Sequence, residues 1–131
     1  MPVSLLAIAI ATVASFVIGG IWYSPALFGR KWMAENRLSQ EDLAKRSLPL
    51  IFGLSFVLSL VMAINLAFFL GKSGPRFGVM AGLAVGIGWI APAFGVVYAF
   101  EKKSFMLFLM NAGYHVLSFL TMGLIIGFLQ R

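Results

Sequence analysis

The sequence predicts an all-α fold: an integral membrane four-helix bundle made of one domain over residues 1–131. Hydrophobic residues make up 61% of the chain and charged residues only 11%. The charged residues are confined to three short windows and one final position: 30–46, 72–76, 101–103 and Arg131. Lipid allows only helices and closed barrels, and the short alternating segments of a barrel are not visible in the sequence. The long uncharged stretches are therefore predicted to be helices.

Each uncharged stretch is long enough to cross a bilayer. About 20 apolar residues of helix cross a hydrocarbon core of roughly 30 Å. The predicted spans lie at about residues 3–23, 49–70, 77–100 and 104–129. Pro49 suits the first turn of the second span, because the N–H that proline lacks has no partner within a helix at that position.

The segment between the first two spans is predicted to contain a short interfacial helical segment. Residues 26–36 mix aromatic with charged side chains, which is typical of a helix lying in the membrane interface. Ser39 and Asp42 have the spacing of a capping box. They predict a second short helix over about residues 40–47.

The basic residues predict the orientation of the chain. Seven Lys and Arg residues lie in loops 24–48 and 101–103, and three lie on the opposite side. By the positive-inside rule, both loops are expected in the cytoplasm and both termini outside. The same residues account for the net charge of +6. Because they flank the spans, membrane lipid rather than nucleic acid is the expected partner.

Small residues recur at every fourth position in the spans. Lipid provides no hydrophobic drive for helices to associate, so strips of small residues indicate close helix contacts. The sequence leaves open whether a strip faces its own chain or another copy. The residues expected at such contacts are Ala11, Ser15, Gly19, Gly78, Gly82, Gly86, Gly123 and Gly127.

The fourth span carries the candidate ligand-binding residues. Asn111, Tyr114, His115 and Ser118 follow the spacing i, i+3, i+4, i+7 and share an arc of about 100° on a helix. Trp89 is added because a regular helix places it on the face of the glycine strip in the third span. Two interpretations stay open for His115: a ligand pocket or proton-responsive group, or a neutral histidine hydrogen-bonded to a neighbouring helix.

The composition argues against several kinds of chemistry. The chain has no cysteine, which excludes thiolate nucleophiles and cysteine metal sites. No Asp or Glu lies inside a span, whereas proton-coupled transporters usually carry a buried acid. The single His115 has no second metal ligand beside it, so no metal, cofactor or catalytic residue is predicted. Asn65 and Thr12 are expected to make local contacts.

Three motifs carry a resemblance to a known family. Residues 19–25 read Gly-Gly-Ile-Trp-Tyr-Ser-Pro, residues 27–33 read Leu-Phe-Gly-Arg-Lys-Trp-Met, and residues 111–115 read Asn-Ala-Gly-Tyr-His. The pattern resembles the bacterial membrane proteins catalogued as domain of unknown function 1761. The resemblance implies a small four-helix protein of the bacterial inner membrane with no assigned activity.

Two functions are consistent with these observations. The leading hypothesis is a non-enzymatic membrane protein that acts through helix-helix assembly, as a homo-oligomer or as a small subunit of a membrane complex. The alternative is a small transporter or ligand-binding membrane protein with a pocket near Trp89, Tyr114 and His115. Purification in mild detergent separates them, because the first retains a protein partner and the second a small molecule.

The orientation can be tested with single cysteines, since the chain has none of its own. We expect a cysteine at Ser39 to stay unlabelled by an impermeant thiol reagent in intact cells, because seven basic residues hold that side in the cytoplasm. A cysteine placed beside Arg131 should be labelled. The reverse pattern of labelling contradicts the orientation.

Overall fold

The computed structural model describes residues 3–131, and all regular secondary structure in that range is helical. A π-helical turn, Gly86–Ile90, joins two of the helices into one continuous span. The α-helices are α1 (Leu5–Trp22), α2 (Gly29–Glu35), α3 (Gln40–Ala44), α4 (Leu48–Leu70), α5 (Pro75–Val85), α6 (Ala91–Glu101) and α7 (Phe105–Leu129).

Four helical segments are long and apolar enough to cross a membrane: α1, α4, the continuous span Pro75–Glu101, and α7. Their ends lie within two residues of the predicted spans. The prediction of an all-α four-helix bundle is therefore confirmed. Pro49 is in the first turn of α4, as predicted.

Serine caps define where several helices begin. Ser4 accepts a hydrogen bond from the N–H of Ala7 at the start of α1, and Ser104 does the same for Leu107 at the start of α7. These side chains satisfy N–H groups that have no partner within the helix.

The predicted capping box of α3 is present. The N–H of Asp42 donates to Ser39 Oγ, and the N–H of Ser39 donates to the Asp42 carboxylate. That backbone hydrogen bond from Ser39 lowers the pKa of Asp42. The predicted end near Ser47 was wrong, because α3 ends at Ala44. Ser47 is extended and serves as the N-cap of α4, so α3 cannot continue through it.

Helix α7 is the central helix, and α1, α4 and α5 all pack against it. The closest approach is to α5. A Cβ atom built at Gly78 would overlap the backbone carbonyl of Gly123, and one at Gly82 would overlap the carbonyl of Phe119. The glycine strip of the third span therefore packs backbone to backbone on its own chain.

The same contact continues in both directions along α7. A Cβ at Gly86 would lie 2.9 Å from the Cα of Val116, and one at Gly127 would lie 2.5 Å from the carbonyl oxygen of Gly74. Gly86 and Gly127, which were predicted to lie at helix contacts, thus make those contacts within one chain. On α1, Ala11 is completely buried.

Gln130 joins three helices at the terminal end of the bundle, where α1 begins and α7 ends. Its side chain is only 5% exposed. Its Oε1 accepts a hydrogen bond from the N–H of Ser4 at 2.9 Å, and its Nε2 donates to the carbonyls of Ala67 at 3.0 Å and Gly71 at 2.8 Å. Helix ends leave backbone groups without partners in their own helix. One amide here serves the ends of both α1 and α4.

The opposite, loop end of the bundle, where α1 ends and α7 begins, is more open. Every residue from 48 to 58 in α4 is exposed, and the buried residues of α4 begin at Ser59. In this half, α4 meets α1 through the edge-on contacts of Phe16 with Phe52 and Phe56, at centroid distances of 6.0 and 5.8 Å. The bundle is therefore held most tightly at its terminal end.

The backbone contact between α5 and α7 can be tested with Gly78→Ala. The added methyl must push the two helices apart, and we expect a loss of roughly 1–3 kcal/mol in the free energy of unfolding. Gly53→Ala in α4 is the matched control, because nothing lies within 4 Å of a Cβ at Gly53. Thermal unfolding in detergent provides the measurement. Equal stability of the two variants would show that the strip is not a tight contact.

Candidate functional site

The polar side chains of the loop end form a hydrogen-bonded group centred on Asn111. The hydroxyl of Tyr23 donates to Asn111 Oδ1 at 2.6 Å, and Asn111 Nδ2 donates to the hydroxyl of Tyr98 at 2.6 Å. One amide thus connects the end of α1 with α6 across the surface of α7. Charge-free bonds of this kind are individually modest, but they specify which helices meet.

A second set of hydroxyl contacts continues toward the middle of the bundle. Ser15 Oγ lies 2.5 Å from Ser118 Oγ and 3.4 Å from the Tyr114 hydroxyl. The Tyr114 hydroxyl also donates to the Ser15 carbonyl at 3.2 Å. Gly19 makes room for Tyr114, since a Cβ there would lie 3.2 Å from its hydroxyl oxygen. Ser15 and Gly19, predicted as packing residues, thus accommodate polar side chains of α7.

The two hydrogen-bonded groups touch through the rings of Tyr23 and Tyr114, whose centroids are 5.5 Å apart. We name the two groups together the polar cluster: Ser15, Tyr23, Tyr98, Asn111, Tyr114 and Ser118. Its members come from α1, α6 and α7. Within residues 3–131, no buried side-chain nitrogen or oxygen lacks a hydrogen-bond partner. The hydrogen-bonded members of the polar face, Asn111, Tyr114 and Ser118, therefore point into protein rather than into lipid, where their donors would find no partners.

His115 lies at the edge of the polar cluster and packs between aromatic rings. Its ring stacks on Phe94 of α6 at a centroid distance of 5.3 Å, and it lies 4.8 Å from the ring of Tyr114. The hydrogen bond to a neighbouring Ser or Asn, expected under the structural interpretation, is not found in the described residues; aromatic packing holds this histidine. Residues 3–131 contain no group of His, Cys, Asp and Glu arranged to hold a metal ion.

The π-helical turn explains which residues of α6 reach the polar cluster. The N–H of Ala91 donates to the carbonyl of Gly86, one residue further back than in an α-helix. Pro92 follows directly and cannot donate a backbone hydrogen bond. The extra residue rotates the rest of the span, so that Phe94 and Tyr98 face α7.

The same rotation moves Trp89 away from the other candidates. A regular helix would keep Trp89 near the face of Gly86, which was the basis of its assignment. In the structure its side chain is 75% exposed. Asn111, Tyr114 and Ser118 are brought together with α1, but Trp89 is not brought together with Tyr114 or His115. The rotation at the π turn is the physical reason for this separation.

The motifs at residues 19–25 and 111–115 meet face to face. Trp22 Nε1 donates to the carbonyl of Met110 at 2.9 Å. The Trp22 ring also covers Gly113, where a Cβ would lie 3.2 Å from it. Tyr23 supplies the bond to Asn111 described above. Each motif is therefore the packing partner of the other.

Helix α2 is attached to this contact by aromatic pairs. Phe28 lies 4.7 Å from the Trp22 ring, and Trp32 lies 6.2 Å from the Tyr23 ring. Gly29 is buried, and a Cβ there would overlap the backbone of Tyr23. This turn places α2 beside α7.

Two surface depressions flank the start of α7. A polar cleft of about 470 Å³ is lined by Ala34, Glu35, Asn36, Arg37, Glu101, Lys102, Lys103 and Ser104. A shallow apolar groove of about 500 Å³ is lined by Trp22, Ala91, Phe108, Leu109, Ala112, Gly113, Val116, Leu117 and Leu120. Neither contains Tyr114 or His115.

Several functional groups were not found from the sequence. Phe94 and Tyr98 gave no signal, because a regular helix turns them away from α7. Gln130 carries no local signal, because its partners Ser4, Ala67 and Gly71 are distant in the chain. Asn65 and Thr12 make local bonds to the carbonyls of Val61 and Ile8, as expected.

The family described as Protein of unknown function (DUF1761) matches residues 6–127 of the chain. The match includes all three motifs and every member of the polar cluster. No curated protein and no solved structure matches the chain. These comparisons identify a family but assign no activity to it.

The central role of Asn111 can be tested by replacement with alanine. Asn111→Ala leaves the hydroxyls of Tyr23 and Tyr98 without their partner, and we expect a loss of roughly 1–3 kcal/mol in unfolding free energy. Asn65→Ala, measured on the monomer in detergent, is the control, because within one chain the Asn65 side chain donates only to its own helix. It should change stability by no more than about 0.5 kcal/mol.

A triple variant tests whether the loss of stability comes from the unpaired hydroxyls. Asn111→Leu combined with Tyr23→Phe and Tyr98→Phe removes donors and acceptors together, and it should recover part of the loss. If Asn111→Ala and Asn65→Ala unfold at the same temperature, the bridge contributes nothing to stability.

Proposed function

The chain belongs to the family described as protein of unknown function DUF1761, and we propose that it is a non-enzymatic membrane protein acting through helix-helix assembly. It assembles with further copies of itself or as a small subunit of a larger membrane complex. The proposal places it in the bacterial inner membrane, with loops 24–48 and 101–103 in the cytoplasm and both termini outside.

The observation that carries the proposal is the exposed end of the small-residue strip on α4. Ser59, Ala63 and Ala67 are buried in the bundle. Ser55, one turn earlier on the same strip, is exposed. Small residues promote close helix contacts in lipid. The exposed end of the strip at Ser55 is suited to accept a helix from another molecule.

A polar side chain on the outer surface of α4 supports the same proposal. Asn65 is exposed, and its Nδ2 donates to the Val61 carbonyl of its own helix at 2.8 Å. An amide has further donor and acceptor capacity that lipid cannot satisfy. Asparagine side chains on such surfaces stabilise contacts between membrane helices.

The polar cluster supports assembly more than catalysis or transport. Its described members are neutral hydroxyl and amide groups that bond to one another. No acidic side chain lies inside the spans to couple substrate movement to protons, because Glu101 is the last residue of the third span. The pocket expected under the transporter hypothesis needed Trp89 beside Tyr114 and His115, and Trp89 faces outward. We therefore prefer assembly to the ligand-binding alternative.

Cross-linking in native membranes tests the proposal. A single cysteine introduced at Ser55 should form a disulfide to another copy, or be captured with a stoichiometric partner by a thiol cross-linker, because the α4 strip is the interface. Val13→Cys is the matched control, since Val13 is an exposed position on α1 outside the strip. Ser55→Phe should abolish the association while leaving the thermal unfolding of the monomer unchanged.

Two results would contradict the proposal. One is a monomeric protein without a stoichiometric partner after extraction in mild detergent. The other is equal cross-linking at the two cysteine positions, which would indicate random collision in the membrane.

A further inference from the structure

We infer that the loop end of the bundle binds one phospholipid whose headgroup carries both a phosphate and a primary ammonium, as in phosphatidylethanolamine. The headgroup occupies the polar cleft between α2 and the turn before α7. One acyl chain lies in the apolar groove along α7. This inference concerns a different surface from the α4 strip and does not depend on the assembly proposal.

The charges that line the cleft are mixed in sign. The cationic side chains are those of Arg37, Lys102 and Lys103, and the carboxylates are those of Glu35 and Glu101. Lys and Arg side chains at the membrane surface bind lipid phosphate. The two carboxylates disfavour a purely anionic headgroup but can accept hydrogen bonds from an ammonium group. The cleft is thus complementary to a zwitterionic headgroup that has N–H donors.

Two of these cationic residues have an unusual backbone conformation. Arg37 and Lys102 both have left-handed conformations, with φ values of 55° and 56°. Glycine is the ordinary residue there, because it adopts positive φ without steric cost. Each of these positions therefore allows the cation to be removed by a glycine substitution that does not strain the backbone.

The apolar groove begins where the cleft ends. Ser104 lines the cleft and Phe108, one helical turn later, lines the groove. From Phe108 to Leu120, α7 rises about 18 Å, comparable to one leaflet of a core roughly 30 Å thick. A chain anchored in the cleft can therefore follow the groove to about the middle of the bilayer.

The floor and wall of the groove have a defined shape. Ala112 leaves space along α7, and Ala91 does so on α6. The Trp22 ring forms the opposite wall and is held by its bond to the Met110 carbonyl. Such a fixed depression between helices can hold an acyl chain in one place, whereas a smooth helix surface would not.

Competitive lipid retention tests the inference. The full chain is reconstituted with equal amounts of phosphatidylethanolamine, phosphatidylglycerol and phosphatidylcholine that have identical acyl chains. It is then extracted in mild detergent, and bound lipids are counted by native mass spectrometry. We expect one phosphatidylethanolamine per chain. Phosphatidylcholine has the same charges but no N–H donor, so it should be retained less.

The variant Arg37→Gly/Lys102→Gly should reduce this retention on the order of tenfold, because two basic contacts are lost. Its thermal unfolding temperature should not fall below that of the parent when both are stripped of lipid. Lys45→Ala/Arg46→Ala is the matched control, since it also removes two cations, from positions of loop 24–48 that do not line the cleft. That control should retain the lipid fully.

Ala91→Phe separates the groove from the cleft. The added ring fills the groove, so retention of the long-chain lipid should fall, while binding of dihexanoyl phosphatidylethanolamine should remain. Preferential retention of phosphatidylglycerol, equal retention of all three lipids, or parental retention by Arg37→Gly/Lys102→Gly would each overturn the inference.

Discussion

The structure depends on the backbone-to-backbone contact between α5 and α7. Gly78 and Gly82 lie directly against the carbonyls of Gly123 and Phe119, where a single added methyl would not fit. In lipid, where no hydrophobic effect drives helices together, such close packing supplies the attraction. The contact also sets the register of the third span on α7. The π turn that follows in this span then decides which side chains of α6 reach the polar cluster.

The two ends of the bundle differ in how they are closed. At the terminal end, the amide of Gln130 connects α1, α4 and α7, and the buried half of α4 packs there. At the loop end, Asn111 connects α1 and α6 instead, and the first half of α4 has no buried residue. Neutral amides make both connections, which avoids placing charge in the hydrocarbon. The surfaces available to other molecules are consequently concentrated at the loop end.

The motifs that carry the family resemblance have a clear structural role. Trp22 and Tyr23 bond to α7 at Met110 and Asn111, while Gly19 and Gly113 admit the rings of Tyr114 and Trp22. His115 is held by aromatic packing on Phe94. These residues assemble the loop end and the two depressions beside it. Function is therefore better sought on the surfaces that the motifs build than in the motifs themselves.

The sequence by itself determined the four spans, the capping box at Ser39 and the face of α7 that carries polar groups. These features depend on residues close in the chain: charge spacing, cap chemistry and helical period. Only the tertiary structure decided that the glycine strips meet within one chain, that Trp89 faces outward, and that Gln130 and Tyr98 join helices. One extra residue in the π turn changes the direction of every later side chain. Such a turn is stabilised by contacts between helices, which a local pattern does not contain.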